Sequence, residues 1–263
     1  MCSQKIIIPA LLALACASAQ AEDQAADWHG MLLLGAGIGP QYEGSDDYEA
    51  APLFVGNFSR GNLYMGMEDG TFRANLLDSP SYELGPLLSF GTGRDKEDID
   101  NEAVAALGTI DNAVEAGAFA AYSWSLSEQS RMRIATEYLQ DTGSVYDGWR
   151  GALSLGYSRD LSSGASLNIE ASFGLVSDDY ADTFYSVSQN GANASGLRRF
   201  DARGGVDKFG LSVTMGYPLS EHYGLFGVVA FQRMLGDVAD SPIVADAGDP
   251  DQVMAGIGIA YLY

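Results

Sequence analysis

From residue 113 to residue 126 the chain alternates with a period of two. Val114, Ala116, Ala118, Ala120, Tyr122, Trp124 and Leu126 share one face, and Glu115, Gly117, Phe119, Ala121, Ser123 and Ser125 share the other. Side chains of an extended strand point alternately to its two faces, so this run specifies a strand with unlike media on its two sides. The pattern recurs. Trp149, Gly151, Leu153, Leu155 and Tyr157 oppose Arg150, Ala152, Ser154, Gly156 and Ser158, and Leu167, Ile169, Ala171, Phe173 and Leu175 oppose Asn168, Glu170, Ser172 and Gly174. Phe209, Leu211, Val213, Met215 and Tyr217 oppose Lys208, Gly210, Ser212, Thr214 and Gly216. One face is apolar with aromatics toward its ends; the other is small or polar. A strand crossing a bilayer needs that division, because lipid demands an apolar exterior with aromatic girdles while a lumen tolerates serine, glycine and charge. Past the N-terminal region no stretch approaches the roughly 18 apolar residues of a transmembrane helix.

Soluble sandwiches also alternate, and strand count with loop parity separates the two cases. The sequence predicts twelve strands, near 28–38, 51–59, 62–67, 71–77, 82–92, 113–126, 131–140, 147–159, 165–176, 206–219, 223–235 and 252–263, or ten if the short third and fourth do not form. Even-numbered connections are tight, such as Arg60-Gly61 and Ser79-Pro80-Ser81. Odd-numbered ones are mostly long: 39–50, 93–112, 141–146, 177–205 and 236–251. Bacterial outer-membrane barrels have even strand numbers, short periplasmic turns and long external loops. The last strand places Ile257, Ile259, Tyr261 and Tyr263 on alternate positions and finishes on an aromatic. The expected fold is therefore all-β: a single closed antiparallel transmembrane β-barrel.

The N-terminal 21 residues carry Lys5, an apolar run over residues 6–16, and Ala19-Gln20-Ala21 before Glu22. That order predicts a cleaved secretory signal peptide over 1–21 and a barrel over 22–263. The competing reading, Cys16 as the modified residue of a lipoprotein, lacks the usual leucine three positions earlier, where Ala13 stands. Cys2 and Cys16 both lie in the leader, so disulfides are not expected to hold the fold.

The net charge is −21. Nucleic-acid binding needs clustered Lys and Arg and is excluded as an expectation. With 47% hydrophobic residues the chain is too apolar for acid-driven disorder. About half of the 35 acidic residues fall in the long loops, so a conducting lumen would prefer cations.

Candidate chemistry is sparse. His29 and His222 are the two histidines, near tight-turn ends of strands. Ser220 stands two residues from His222, but no third member or oxyanion donors accompany it. The acidic run 95–102 lacks the glycine that an EF-hand loop needs; together with Asp46-Asp47 and Asp178-Asp179 it reads as solvated external acid. Gly35-x-Gly37-x-Gly39 lacks the rest of a dinucleotide fingerprint and fits relief of crowding in a barrel wall. Arg131, Arg133, Glu137, Arg150 and Glu170 are expected to face the lumen, either lining a pore or pairing to plug it. Loop 177–205, with Tyr180, Phe184, Tyr185 and three arginines, offers a surface for adhesion. No catalytic, cofactor or metal residues are expected.

Four segments stand out: Tyr42-Glu43-Gly44-Ser45-Asp46-Asp47-Tyr48 followed by Pro52, then Phe184-Tyr185-Ser186-Val187-Ser188, Ser195-Gly196-Leu197, and Leu235-Gly236-Asp237-Val238-Ala239-Asp240-Ser241-Pro242-Ile243-Val244. With the closing strand they resemble the MltA-interacting protein (MipA)/OmpV family of outer-membrane proteins. The resemblance implies a barrel among outer-membrane lipids, with no cofactor and no catalytic motif. It also implies a scaffold for peptidoglycan-remodelling enzymes, a lytic transglycosylase and a peptidoglycan synthase. A small-solute channel and a surface adhesin are the alternatives. Tight periplasmic turns leave such a scaffold only its rim, the segment 22–27, or a membrane-anchored partner to work with.

Overall fold

The computed structural model describes residues 28–263 apart from 69 and 92; the leader expected over 1–21 lies outside the described residues. Twelve strands follow in order: β1 (His29–Pro40), β2 (Tyr48–Arg60), β3 (Leu63–Glu68), β4 (Thr71–Asn75), β5 (Tyr82–Phe90), β6 (Val114–Ser127), β7 (Ser130–Asp141), β8 (Trp149–Asp160), β9 (Ser166–Val176), β10 (Gly205–Pro218), β11 (Tyr223–Met234) and β12 (Asp251–Leu262). Each pairs antiparallel with its chain neighbours, and β12 returns to β1 through eight pairs, from Met31↔Leu262 to Ile38↔Ala255, closing the barrel. Both short strands form, which sets aside the ten-strand alternative. Connection lengths follow the expected parity: the tight turns share one rim with the described N-terminal end and the C-terminus, and the long loops share the other. By the rule for bacterial barrels these are the periplasmic and external rims.

The period-two pattern translates directly into sidedness. Leu153, Leu155, Leu211, Val213 and Met215 are exposed on the outer surface, where they meet lipid. Aromatic rings gather at the periplasmic ends of the strands. Tyr82 and Tyr122 lie 5.0 Å apart and Tyr223 and Tyr261 5.3 Å apart; near the external ends Tyr138 and Trp149 stack at 5.8 Å. Rings at these heights suit the interface between hydrocarbon and headgroups.

Inside, the lumen has two unlike walls. From β1, β2, β11 and β12, the side chains Met31, Leu33, Leu53, Val55, Phe226, Val228 and Met254 bury one another in an apolar cluster. Glycines make it possible: Leu53 occupies the space a Cβ on Gly256 would need, and Phe226 does the same at Gly258. Each large side chain so buried contributes about 2 kcal/mol relative to a wetted position. The wall from β3 to β9 carries the charged side chains, around one small apolar cluster of Leu87, Phe119 and Leu139 packed against Tyr64. A register shift between Val206 and Lys208 on β10 leaves Asp207 outside the ladder, with its side chain buried beside Lys208.

The glycine run Gly35-x-Gly37-x-Gly39 sits in β1 at the closing seam. A Cβ on Gly35 would collide with the Ile257 carbonyl oxygen and lie 3.0 Å from the Cα of Gly258. We expect Gly35→Val to prevent closure, seen as loss of the compact, heat-modifiable form on unboiled gels. Gly56→Ala serves as the control: a Cβ there has its nearest neighbour at 3.5 Å, and the heat-modifiable form should persist.

Candidate functional site

Four of the long external loops fold together rather than extending into solvent. They carry five short helices: α1 (Glu102–Ala105), α2 (Asp178–Tyr185), α3 (Gln189–Ser195), α4 (Gly236–Asp240) and α5 (Pro242–Ala245). Local sequence explains where four of them start. The side chains of Asn101, Ser177, Ser188 and Ser241 accept backbone N–H bonds at the first turns of α1, α2, α3 and α5. Gly196, at φ 78°, ends α3 in the left-handed conformation that glycine adopts without penalty.

The apolar faces of these helices make two clusters above the lumen. One joins Val176, Ala181, Tyr185, Met234, Val238 and Val244; the other joins Tyr42, Ile99, Val104, Val187 and Ile243. Polar bonds then tie loops from distant parts of the ring. Asn101 Nδ2 donates to the Ala247 carbonyl at 3.0 Å, joining the β5–β6 loop to the β11–β12 loop on the opposite side of the ring. Gln41 and Asp100 exchange two bonds, of 2.7 and 3.1 Å. Arg94 Nη1 donates to the Phe184 carbonyl at 3.2 Å, and Ser241 Oγ to the Tyr185 carbonyl at 2.6 Å. The result is a cap across the external mouth.

This corrects two expectations. The acidic loop is not simply solvated: Ile99 and Val104 are buried within it, Asp100 bonds Gln41, and Asp95 accepts from its own loop at the Glu97 N–H. Tyr180, Phe184 and Tyr185 do not form an outer contact surface. They turn inward, with Tyr180 and Phe184 packed ring to ring at 4.6 Å and Tyr146 edge-on to Tyr180 at 5.0 Å. The arginines of that loop stay at the surface, where Arg198 pairs with Asp246 and Arg199 with Asp201.

Charged side chains join the cap to the wall below it. Glu43 accepts from Lys208 of β10 and from the Tyr185 hydroxyl at 3.1 Å. Burial alone would raise the Glu43 carboxyl, but the Lys208 ammonium prevails and holds it below the usual carboxylate value. Tyr146 donates to Glu115 at 2.6 Å, and Arg150 grips the same carboxylate with bonds of 2.8 and 2.7 Å. Burial pushes the Tyr42 hydroxyl up to about 12 and the Tyr185 hydroxyl well above its ordinary value, so both stay protonated donors.

Deeper in the lumen Arg133 makes a bidentate pair with Glu83, at 3.0 and 2.9 Å, and Arg73 pairs with Glu137. Tyr64 adds a bond of 2.7 Å to Glu83. Of the residues expected to face the lumen, Arg133, Glu137 and Arg150 are thus paired, while Arg131 and Glu170 make no ion pair among the described residues. Their partners Arg73, Glu83 and Glu115 were not singled out by sequence, although Glu115 already stood on the polar face of its strand. Nothing local in the sequence marks Glu43 as the partner of Lys208, 165 positions away.

The histidine and serine of the β10–β11 turn do not form a hydrolytic pair. Ser220 Oγ accepts from the backbone N–H groups of His222 and Tyr223, at 3.4 and 3.2 Å, and His222 Nδ1 faces the Leu262 carbonyl at 3.1 Å.

A family model described as MltA-interacting protein MipA matches residues 32–263. A protein of Escherichia coli (strain K12), provisionally named outer membrane protein YiaT, is 24% identical over 155 residues, covering 57% of this chain and 58% of that protein. Among solved structures, the NanC porin matches with a TM-score of 0.49 and 10% identity over 88% of this chain and 98% of its own. An outer-membrane channel of Pseudomonas putida F1 matches with a TM-score of 0.48 and 12% identity, over 94% and 100% respectively.

Glu43 is the point at which the cap can be tested. Glu43→Gln should loosen the cap by about 2 kcal/mol, the scale of a charged hydrogen bond rather than of a dry ion pair, since Glu43 and Lys208 keep about a quarter of their exposure. Because the folded Glu43 titrates below its ordinary 4.5, its contribution is complete above that pH and fades as pH falls below it. Protection factors of the cap amides, which divide out the intrinsic slowing of exchange in acid, should therefore fall on acidification, and the Glu43→Gln variant should be less protected throughout with a weaker acid dependence in this range.

Proposed function

Because the chain belongs to the MltA-interacting protein MipA family of outer-membrane barrels, we propose that it is a non-enzymatic scaffold for peptidoglycan-remodelling enzymes, a lytic transglycosylase and a peptidoglycan synthase. The observation that carries this reading is the interlocked cap. A mouth spanned by bonds between loops on opposite sides of the ring does not suit a diffusion pore, and behind it the wall of β11, β12, β1 and β2 is packed with apolar side chains. What faces the periplasm is the rim of tight turns, which is where a periplasmic enzyme or its lipid anchor would meet the barrel. The absence of catalysis is part of the proposal: the hydroxyl of Ser220 is committed to backbone amides, and the luminal carboxylates are mostly bound to arginine.

A second reading is supported by the polar wall. Arg150 and Glu137 keep 28% and 29% of their side-chain exposure, so solvent reaches the charged half of the lumen. A small-solute channel would need the cap to move, and its acidic surface would then favour cations.

Photo-crosslinkers placed at Gln129 or Ser162 on the periplasmic rim should capture a lytic transglycosylase in intact envelopes, while crosslinkers at Asn193 in the cap should not. Capture no greater than that of an unrelated barrel would remove the scaffold reading. In planar bilayers the protein should show no steady conductance; regular openings in the unmodified protein would put the channel first.

A further inference from the structure

The wall formed by β7, β8 and β9 carries polar side chains that neither the luminal ion pairs nor the cap uses. Register sets Arg131, Ser158 and Asn168 in one row and Arg133, Gly156 and Glu170 in the next. Arg133 reaches Glu83 over the luminal face of β6, and strand alternation puts Arg131 on the same face of β7. Adjacent rows keep that face, so the whole group looks into the lumen.

Three features of this group are unresolved within the fold. In the deeper lumen Glu83 is held by Arg133 and Glu137 by Arg73, which leaves Glu170 as a third carboxylate against two guanidinium groups, with the Ser154 hydroxyl as its hydrogen-bond partner. Arg131, close to the periplasmic rim, has no carboxylate at contact distance among the described residues. Asn168 is 6% exposed, and neither its Nδ2 nor its Oδ1 has a hydrogen-bond partner; a buried amide left without donor and acceptor partners calls for an explanation. Between them Gly156 adds no side chain, and the Glu170 carboxylate lies over it, with Oε2 3.7 Å from where a Cβ would stand. Two strand spacings and one pleat separate Arg131 from Glu170, about 12 Å between Cα atoms. Both side chains stand on the same luminal face.

The geometry points to a binding site for peptide-like zwitterions, molecules carrying both a carboxylate and a primary ammonium, entered from the periplasmic rim beneath the closed cap. Arg131 offers a fork of donors to the carboxylate. Glu170 takes the ammonium and balances the third negative charge. The Ser158 hydroxyl and the Asn168 amide supply the donor and acceptor that a peptide bond requires. Arg133 stays on Glu83 and gives the site its positive back wall. The site does not depend on the scaffold role and would exist in a barrel with either function.

Calorimetry on the folded, detergent-solubilised barrel tests it with three probes: trialanine, N-acetyl-trialanine and trialanine amide. Trialanine should bind, and each blocked peptide should bind about tenfold more weakly. Arg131→Gln should weaken trialanine by a similar factor and no longer distinguish it from its amide. Glu170→Gln should no longer distinguish it from the N-acetyl form. Heat-modifiable gel mobility reports that each variant is folded, and Asn168→Leu, which needs no charge change, gives an independent loss if Glu170→Gln does not assemble. No heat of binding with millimolar trialanine overturns the proposal. So does equal binding of all three peptides, or loss in both charge variants without the end-specific pattern.

Discussion

Hydrocarbon offers no hydrogen-bond partners, so every backbone N–H and C=O of a membrane strand must find one within the protein, at several kcal/mol for each failure. That requirement closes β12 onto β1, and it explains why the closing seam is so rich in glycine. Gly35 and Gly258 face each other across the seam, where the backbones approach too closely for a Cβ. The same requirement acts where the wall is weakest. β4 ends early at Asn75, and the Asn75 side chain supplies the missing bonds. Its Oδ1 accepts from the N–H groups of Leu77 and Leu84, and its Nδ2 donates to the carbonyls of Asn62 and Leu77. A side chain completes the wall where the ladder stops.

Closing twelve strands creates a second problem, a lumen wider than the side chains of one wall can fill. This chain solves it twice. Where β11, β12, β1 and β2 meet, small residues on the seam let Leu53 and Phe226 lie flat against neighbouring strands. On the facing side arginines reach across to carboxylates two or three strands away, which leaves a wetter but braced wall. Truncating an apolar side chain would open a void; truncating one partner of a braced pair would leave a charge unmatched in a confined space, which is the more damaging of the two.

Strand positions, closure and sidedness were legible because the bilayer imposes a period-two code over a dozen residues at a time, and Trp149 to Tyr157 or Phe209 to Tyr217 carry it without a break. The cap was not legible. Its helices are four to eight residues long, too short for a helical period to stand out, and its contacts join residues such as Gln41 and Asp100 or Ser45 and Gln252 that no local pattern connects. The segments resembling the MipA/OmpV family, 42–48, 184–188 and 235–244, converge in it, where Glu43 meets Tyr185, Ser241 meets the Tyr185 carbonyl, and Gly44 packs on Val244. The luminal residues were half legible, since alternation says which side chains face inward but not which of them meet.

The acid of the external loops also acquires a structural meaning once the cap is seen. Asp178 and Asp179 open α2, Glu102 opens α1 and Asp237 opens α4. A carboxylate in the first turn of a helix is stabilised by the unpaired N–H groups there, by about 0.3–1 kcal/mol at an exposed site. Helices this short cannot stand alone, and their apolar faces are small, so such increments matter in proportion. The charge that makes the external face repel anions is thus partly the charge that lets the cap fold, and an acidic loop in a barrel of this kind cannot be read as a ligand site from its composition. Of the buried polar groups that remain without hydrogen-bond partners among the described residues, Arg94 Nε lies in the cap, and Asn168, Asp207 and Gln232 stand on strands of the wall.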